Sequence, residues 1–206
     1  GLRFEEGILC IIDGSKGIKK AIERCLGEYA FIQRCHWHKR ENVVSYLDEA
    51  QQTLCRRRLQ EAYAKTTYKE AKAELEKIHA ELLNVNESAA NSLAEGLEET
   101  LTLHRLELAP ELAKSLNTTN CLESVMSQLG RYTDKVNRWH NSNQILRWTV
   151  AVLMDIEPRL NKIKGAQYLK ILRFKMKQII QQRQAVEQPV KENSLKTSGI
   201  SQTVMT

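Results

Sequence analysis

Two acidic residues stand where a carboxylate can do chemistry. Asp13 closes the apolar run Ile8-Leu9-Cys10-Ile11-Ile12 and is followed by Gly14. A run without alternation fits a strand buried on both faces, and open α/β sheets collect their ligands at the carboxyl ends of such strands. Taken alone, the pair is an ordinary Asp-Gly turn. Glu123 falls in the first turn of a helix expected after Asn117-Thr118-Thr119, one position off the apolar stripe Leu122/Val125/Met126/Leu129. The helix dipole by itself favours a carboxylate there. Asp13 and Glu123 are 110 positions apart. Brought together, they would suit Mg²⁺, a hard cation that takes oxygen ligands. Two-metal sites of this kind serve phosphoryl transfer by stabilising the attacking and leaving oxygens.

The segment Cys35-His36-Trp37-His38 offers two zinc-type ligands, Cys35 and His38. A closed structural zinc needs four, and no second Cys/His pair with finger-like spacing exists, because His79, His104 and His140 lie far apart on helical stretches. A packed turn that hydrogen-bonds without zinc is the expectation. The five cysteines (10, 25, 35, 55 and 121) are scattered and odd in number, which fits a reduced, intracellular protein rather than a disulfide scaffold.

The elements that position these residues follow from the pattern. Ile8–Ile12 reads as a strand, Lys16–Leu26 as a helix with Ile18, Ile22 and Leu26 stepping by four, and Tyr29–Gln33 as a second strand. From His36 onward the chain reads as helical. Val43, Val44, Leu47 and Leu54 mark one apolar stripe and Leu75, Ile78 and Leu82 another, and a helix over Ser142–Ile156 stops at Pro158. Tyr168–Gln182 is a basic amphipathic helix, with Lys170, Arg173 and Lys177 on one face and Ile171, Phe174 and Gln178 on another. The expected class is mostly α with a small α/β part.

Composition agrees. The 206 residues are 42% hydrophobic and 27% charged, which excludes a wholly disordered chain, and nine Gly with three Pro are too few for the turns of a sandwich or barrel. No apolar run nears the roughly 20 residues that span a bilayer, so no membrane segment is expected. The net charge of +6 is concentrated at the C-terminus, where residues 159–206 hold ten Lys/Arg against two acids. A local basic segment fits either a nucleic-acid contact or a solubilising surface, and charge does not separate DNA from RNA.

The motifs Asp13-Gly14-Ser15-Lys16-Gly17, Gln33-Arg34-Cys35 with His38-Lys39 and Asn42, and Thr118-Thr119-Asn120-Cys121-Leu122-Glu123 occur in order at long spacing. Together they resemble the Mutator-type bacterial insertion-sequence transposases, over roughly residues 7–160. The resemblance implies the C-terminal portion of a ribonuclease-H-like fold carrying an all-helical insertion and an Asp-Asp-Glu triad. Asp13 would be the second Asp and Glu123 the final Glu, both metal ligands in a two-Mg²⁺ site. The first Asp would lie upstream, outside this chain, leaving the site incomplete here. Cys35 and His38 would fall on the family's Cys-x-x-His motif beside the active site. Where the family often carries a basic residue two turns after the Glu, this chain has Gly130, with Arg131 next, and Lys135 and Arg138 are possible substitutes. Arg131, Lys135, Arg138, Lys170, Arg173 and Lys177 are therefore the candidate DNA contacts.

The organisation expected is a partial ribonuclease-H-like core over 1–39, a helical insertion over 40–116, C-terminal helices with the Glu-bearing helix over 117–185, and a disordered tail over 186–206. The function implied is metal-dependent DNA strand cleavage and strand transfer, with transposon ends and target DNA as partners. A homo-oligomer and a cytoplasmic location with a bacterial chromosome are also implied. The competing reading is a non-catalytic DNA-binding or regulatory fragment.

Overall fold

A computed structural model describes residues 2–197, with side chains placed through residue 185. Strand β1 (Ile8–Ile12) leads into helix α1 (Lys16–Leu26) and then β2 (Ala30–Arg34). The helices α2 (His36–Val44), α3 (Glu49–Tyr63), α4 (Tyr68–Leu83), α5 (Glu87–Ala94), α6 (Leu97–Thr100), α7 (Thr102–Arg105) and α8 (Ala109–Leu116) follow. Last come α9 (Asn120–Thr133), α10 (Ser142–Ile156) and α11 (Leu169–Thr197).

The two strands pair in parallel, with Ile8 opposite Ala30 and Ile12 opposite Arg34. A parallel pair needs a crossover, and α1 supplies it. The Ser15 side chain caps α1 by accepting the Ile18 N–H, and Gly27 ends the helix with φ +53. The chain is thus mostly helical around a small parallel sheet.

Apolar burial divides into two clusters. Val43, Leu59, Leu75, Ile78, Leu93 and Leu101 form one, inside the bundle of α2 to α5. Phe31, Leu103, Leu108, Leu112, Leu172 and Met176 form the other, between the sheet, α8 and α11. The division falls between Leu101 and Leu103, so the buried apolar side chains of α7 and α8 join the cluster at the sheet. Several expectations change here. Leu54 is 52% exposed, because α3 turns Cys55 and Leu59 inward instead. On α11 the buried stripe is Leu172/Met176/Ile180, while Ile171 and Phe174 face outward, since the i, i+4 row meets Phe31 and Leu9 of the sheet. Helix α11 runs to Thr197, and 198–206, the rest of the disordered tail expected over 186–206, lie outside the described residues. The Gln, Ala, Glu and Lys that follow Gln182 are good helix formers even without an apolar stripe.

Candidate active site

The carboxyl ends of both strands come together at the predicted residues. Ile12 and Arg34 are paired, and the Cys35 N–H extends the ladder by donating to the Ile12 carbonyl at 2.7 Å. Asp13 and Cys35 are therefore neighbours on one sheet edge, Asp13 exposed and Cys35 fully buried. Asp13 Oδ1 accepts the Ser15 N–H at 2.8 Å, which fixes the carboxylate over the turn into α1, and Oδ2 has no hydrogen-bond partner among the described residues.

Glu123 reaches the same edge through Thr119. The buried Thr119 hydroxyl lies 2.8 Å from Glu123 Oε1, 3.3 Å from His38 Nδ1 and 3.6 Å from Cys35 Sγ. One hydroxyl carries one proton, so the partners assign the bonds. The carboxylate can only accept, hence the Thr119 O–H donates to Glu123, and the Cys35 S–H and the His38 Nδ1–H point back at its oxygen. His38 Nε2 then stands 3.6 Å from Glu123 Oε1. Cys35 and His38 thus meet at a hydroxyl. Among the described residues no three His, Cys, Asp or Glu side chains form a group able to hold a metal. Asp13 and Glu123 each carry the hard oxygen donors that a cation such as Mg²⁺ takes.

A buried polar hub holds α9 in this position. His36 donates from Nε2 to the Thr100 carbonyl at 2.7 Å, and its Nδ1 accepts from Asn117 Nδ2 at 3.2 Å. Its backbone N–H donates to the Asn117 carbonyl at 2.8 Å. Burial pushes the His36 imidazole down to about 4, so it is neutral at pH 7, as the bond accepted from Asn117 requires. The Gln33 side chain donates to the Thr100 carbonyl at 2.8 Å and accepts the Leu103 N–H at 3.0 Å. Asn117 is two residues before Thr119, so β2 and the start of α9 are tied together next to the site.

A second lock lies under Asp13. The Arg34 guanidinium pairs with Glu95 Oε2 at 2.8 Å and with the Glu95 carbonyl at 3.3 Å. The Lys39 ammonium, 1% exposed, donates to the carbonyls of Ser92 and Glu95 at the C-terminal end of α5, where a cation offsets unsatisfied carbonyls. Burial is the main reason its amine falls to about 8, with Arg34 adding to the effect and Glu95 opposing it. Arg34 needs two glycines to lie where it does. Gly14 has φ +111, and a Cβ there would stand 2.5 Å from Arg34 Nη2. Gly96 has φ +68, and a Cβ there would collide with Arg34 Nη1.

The candidate DNA contacts are spread out. Arg131 lies in the last turn of α9, and Lys135 and Arg138 lie on the following loop, all exposed and without an ion-pair partner among the described residues. On α11, Arg173 and Lys177 both pair with Glu6, the latter at 3.0 Å, and these two cations hold the Glu6 carboxyl below its usual range. Lys170 is exposed and has no ion-pair partner among the described residues.

Sequence reasoning missed Thr119 as the shared hydroxyl, His36 as a buried hub and the Arg34–Lys39–Glu95 lock. For Thr119 a signal existed, a hydroxyl residue at the start of the helix four positions before Glu123. For Glu95, 56 residues from Lys39, there was none. Among the described residues no helix is long and apolar enough to cross a membrane.

Comparison with curated proteins and with solved structures finds no match. The family model described as transposase, Mutator family, matches residues 4–162, a span that holds Asp13, Cys35, His38, Thr119 and Glu123. With that match over most of its length, the chain belongs to the Mutator family of transposases.

Proposed function

We propose that this chain carries two acids of an Asp-Asp-Glu centre on a ribonuclease-H-like core, and that it takes part in metal-dependent DNA strand cleavage and strand transfer. The observation that supports this reading most is the convergence at one sheet edge. Asp13 follows β1, Cys35 follows β2, and Thr119 links Cys35 to Glu123 at 2.8 Å. Asp13 and Glu123 would hold Mg²⁺, which supplies a charged clamp for the attacking and leaving oxygens of a phosphodiester.

The protein's own residues have separable tasks in this reading. The Ser15 N–H orients Asp13 by taking one carboxylate oxygen, leaving the other for the metal. The Thr119 hydroxyl does the same for Glu123. His38 sets the position of Thr119 through Nδ1 and stands beside Glu123, and buried Cys35 closes the inner side of the network. Arg131, Lys135, Arg138 and Lys170 are exposed, and in this reading they would serve as phosphate contacts that position a duplex without reading its sequence. Pairing of transposon ends by two copies belongs to the same reading.

The test is cleavage of DNA bearing the element's end by the transposase that contains these residues. Cleavage with Mg²⁺ that stops with chelator is expected; cleavage unaffected by chelator refutes the metal-dependent reading. The alternative is a non-catalytic DNA-binding or regulatory role. DNA binding without cleavage at any divalent ion concentration would decide for it.

A further inference from the structure

We infer that the cleft between α2, the end of α3 and α8 binds an unpaired stretch of DNA beside Glu123, with a base stacked on Trp37 and the backbone held by Arg40, Lys65 and Lys114. The inference rests on the DNA-processing reading above and adds a substrate form and a place to it. The cleft has a volume of about 610 Å³, within the range of small-ligand pockets and large enough for a nucleotide.

Its walls carry the chemistry of a single-strand site. Three cations line it together with the amides of Asn117 and Asn120, and no Asp or Glu is among its lining residues. Lys65 and Lys114 differ in this from Lys19, Lys72, Lys175 and Arg58, each of which has an acidic partner. Arg40 uses Nε on Glu41 at 3.0 Å. The Lys164 backbone N–H donates to the Ser115 hydroxyl at 2.9 Å, which brings a further cation beside Lys114 at the edge of the cleft, and this like-charged neighbour pushes the Lys164 amine below its usual range. Two ammonium groups held together gain from an anion between them, and a phosphate meets that need.

The aromatic element is Trp37, 44% exposed at the mouth of the cleft. Its ring is braced edge-on by His38, with centroids 4.8 Å apart at 87°. One face of a braced, exposed indole is a stacking platform that accepts any base. The cleft floor is also rigid, because the His36 and Tyr63 rings stack at 4.0 Å. Placement ties the cleft to the chemistry. His38 stands 3.6 Å from Glu123, and Asn120 opens the helix that bears Glu123. A strand seated on Trp37 would run past that carboxylate.

The experiment measures fluorescence anisotropy of a labelled 12-mer oligothymidine, of the same oligomer in a duplex, and of its RNA counterpart. Trp37→Ala should weaken single-strand binding about 5- to 150-fold, the range for loss of one stacked base, while duplex affinity stays within twofold. Trp37→Phe should restore most of the loss, and the duplex affinity kept by Trp37→Ala separates lost stacking from a folding defect. Lys114→Gln with Lys164→Gln should weaken single-strand binding and lower its log–log salt slope by about 0.7 for each phosphate left without its cation. The inference is overturned if Trp37→Ala leaves single-strand affinity unchanged, if it weakens both DNA forms alike, or if wild type prefers the RNA. Wild type that binds neither DNA form would overturn this inference and the DNA reading together. Unchanged single-strand binding with intact, metal-dependent cleavage would remove the cleft alone.

Discussion

Lys39 gives a prediction whose sign and size follow from its burial. Its ammonium is 1% exposed, and desolvation brings it from 10.5 down to about 8. A fall of that size corresponds to about 3 kcal/mol of differential stabilisation of the neutral form. Between about pH 8 and 10.5 the amine is charged in the unfolded chain and neutral in the folded one. The unfolded state then binds more protons, so stability rises with pH across that window. Below pH 8 both states are charged and the desolvation penalty is fully present. The perturbation is Lys39→Met, which keeps the stem and removes the titration. Urea unfolding of wild type and variant at matched pH values from 7 to 10.5 isolates the residue, because the raised thiols of Cys10 and Cys55 and the raised phenol of Tyr63 are common to both proteins. The unfolding free energy of wild type minus that of Lys39→Met should climb by up to about 3 kcal/mol, with a slope near 1.4 kcal/mol per pH unit at its steepest. A difference that stays flat from pH 7 to 10.5 would refute the burial argument and with it the Arg34–Lys39–Glu95 lock.

The other perturbations act nearer the proposed chemistry. Thr119→Val keeps the shape but removes the hydroxyl 2.8 Å from Glu123. It should lower stability by about 1–3 kcal/mol in urea unfolding and slow cleavage roughly tenfold or more, as removal of a positioning group does, with DNA binding intact. His36, pushed down from 6.5 to about 4, stays neutral in the folded chain while the unfolded imidazole takes a proton. Stability should therefore fall as pH drops from 6.5 towards 4, by up to about 3 kcal/mol from this residue, and His36→Gln should show a shallower acid limb in the same unfolding series. Replacing Lys170, Arg173 and Lys177 together with Gln should reduce the salt slope of duplex binding by about 0.9 for each phosphate no longer neutralised; an unchanged slope would assign Arg173 and Lys177 to their pairing with Glu6 alone.

What could be read before the structure was local. Lys16–Leu26 and Ser142–Ile156 are found at their expected bounds because caps announce them, Ser15 and Gly27 for the first and Asn141 and Pro158 for the second. Asp13 at a strand end and Glu123 in a first helical turn are likewise local facts of pattern. The choice between competing apolar faces was not legible. On α11, Ile171 and Phe174 are as apolar as Leu172 and Met176, and only the sheet beneath decides which row is buried. Leu54 fails for the same reason. The polar hub and the lock are tertiary. Nothing in the strand end and turn marked Gln33, Arg34, His36 and Lys39 as buried, yet all four are, because carbonyls and a carboxylate from residues 92–100 meet them. Nothing in local spacing encodes a partner more than 50 residues away.

The central claim is that Asp13 and Glu123 act together at the carboxyl edge of the sheet. Its most direct test is cleavage of element-end DNA by the transposase containing Asp13→Asn or Glu123→Gln, with binding of the same DNA and urea unfolding measured on each variant. Both carboxylates are exposed, so neither change should disturb the fold. Each variant should lose cleavage while binding DNA within about twofold of wild type, since an amide keeps the shape but not the charge that holds a divalent ion. Wild-type cleavage by either variant would contradict the account.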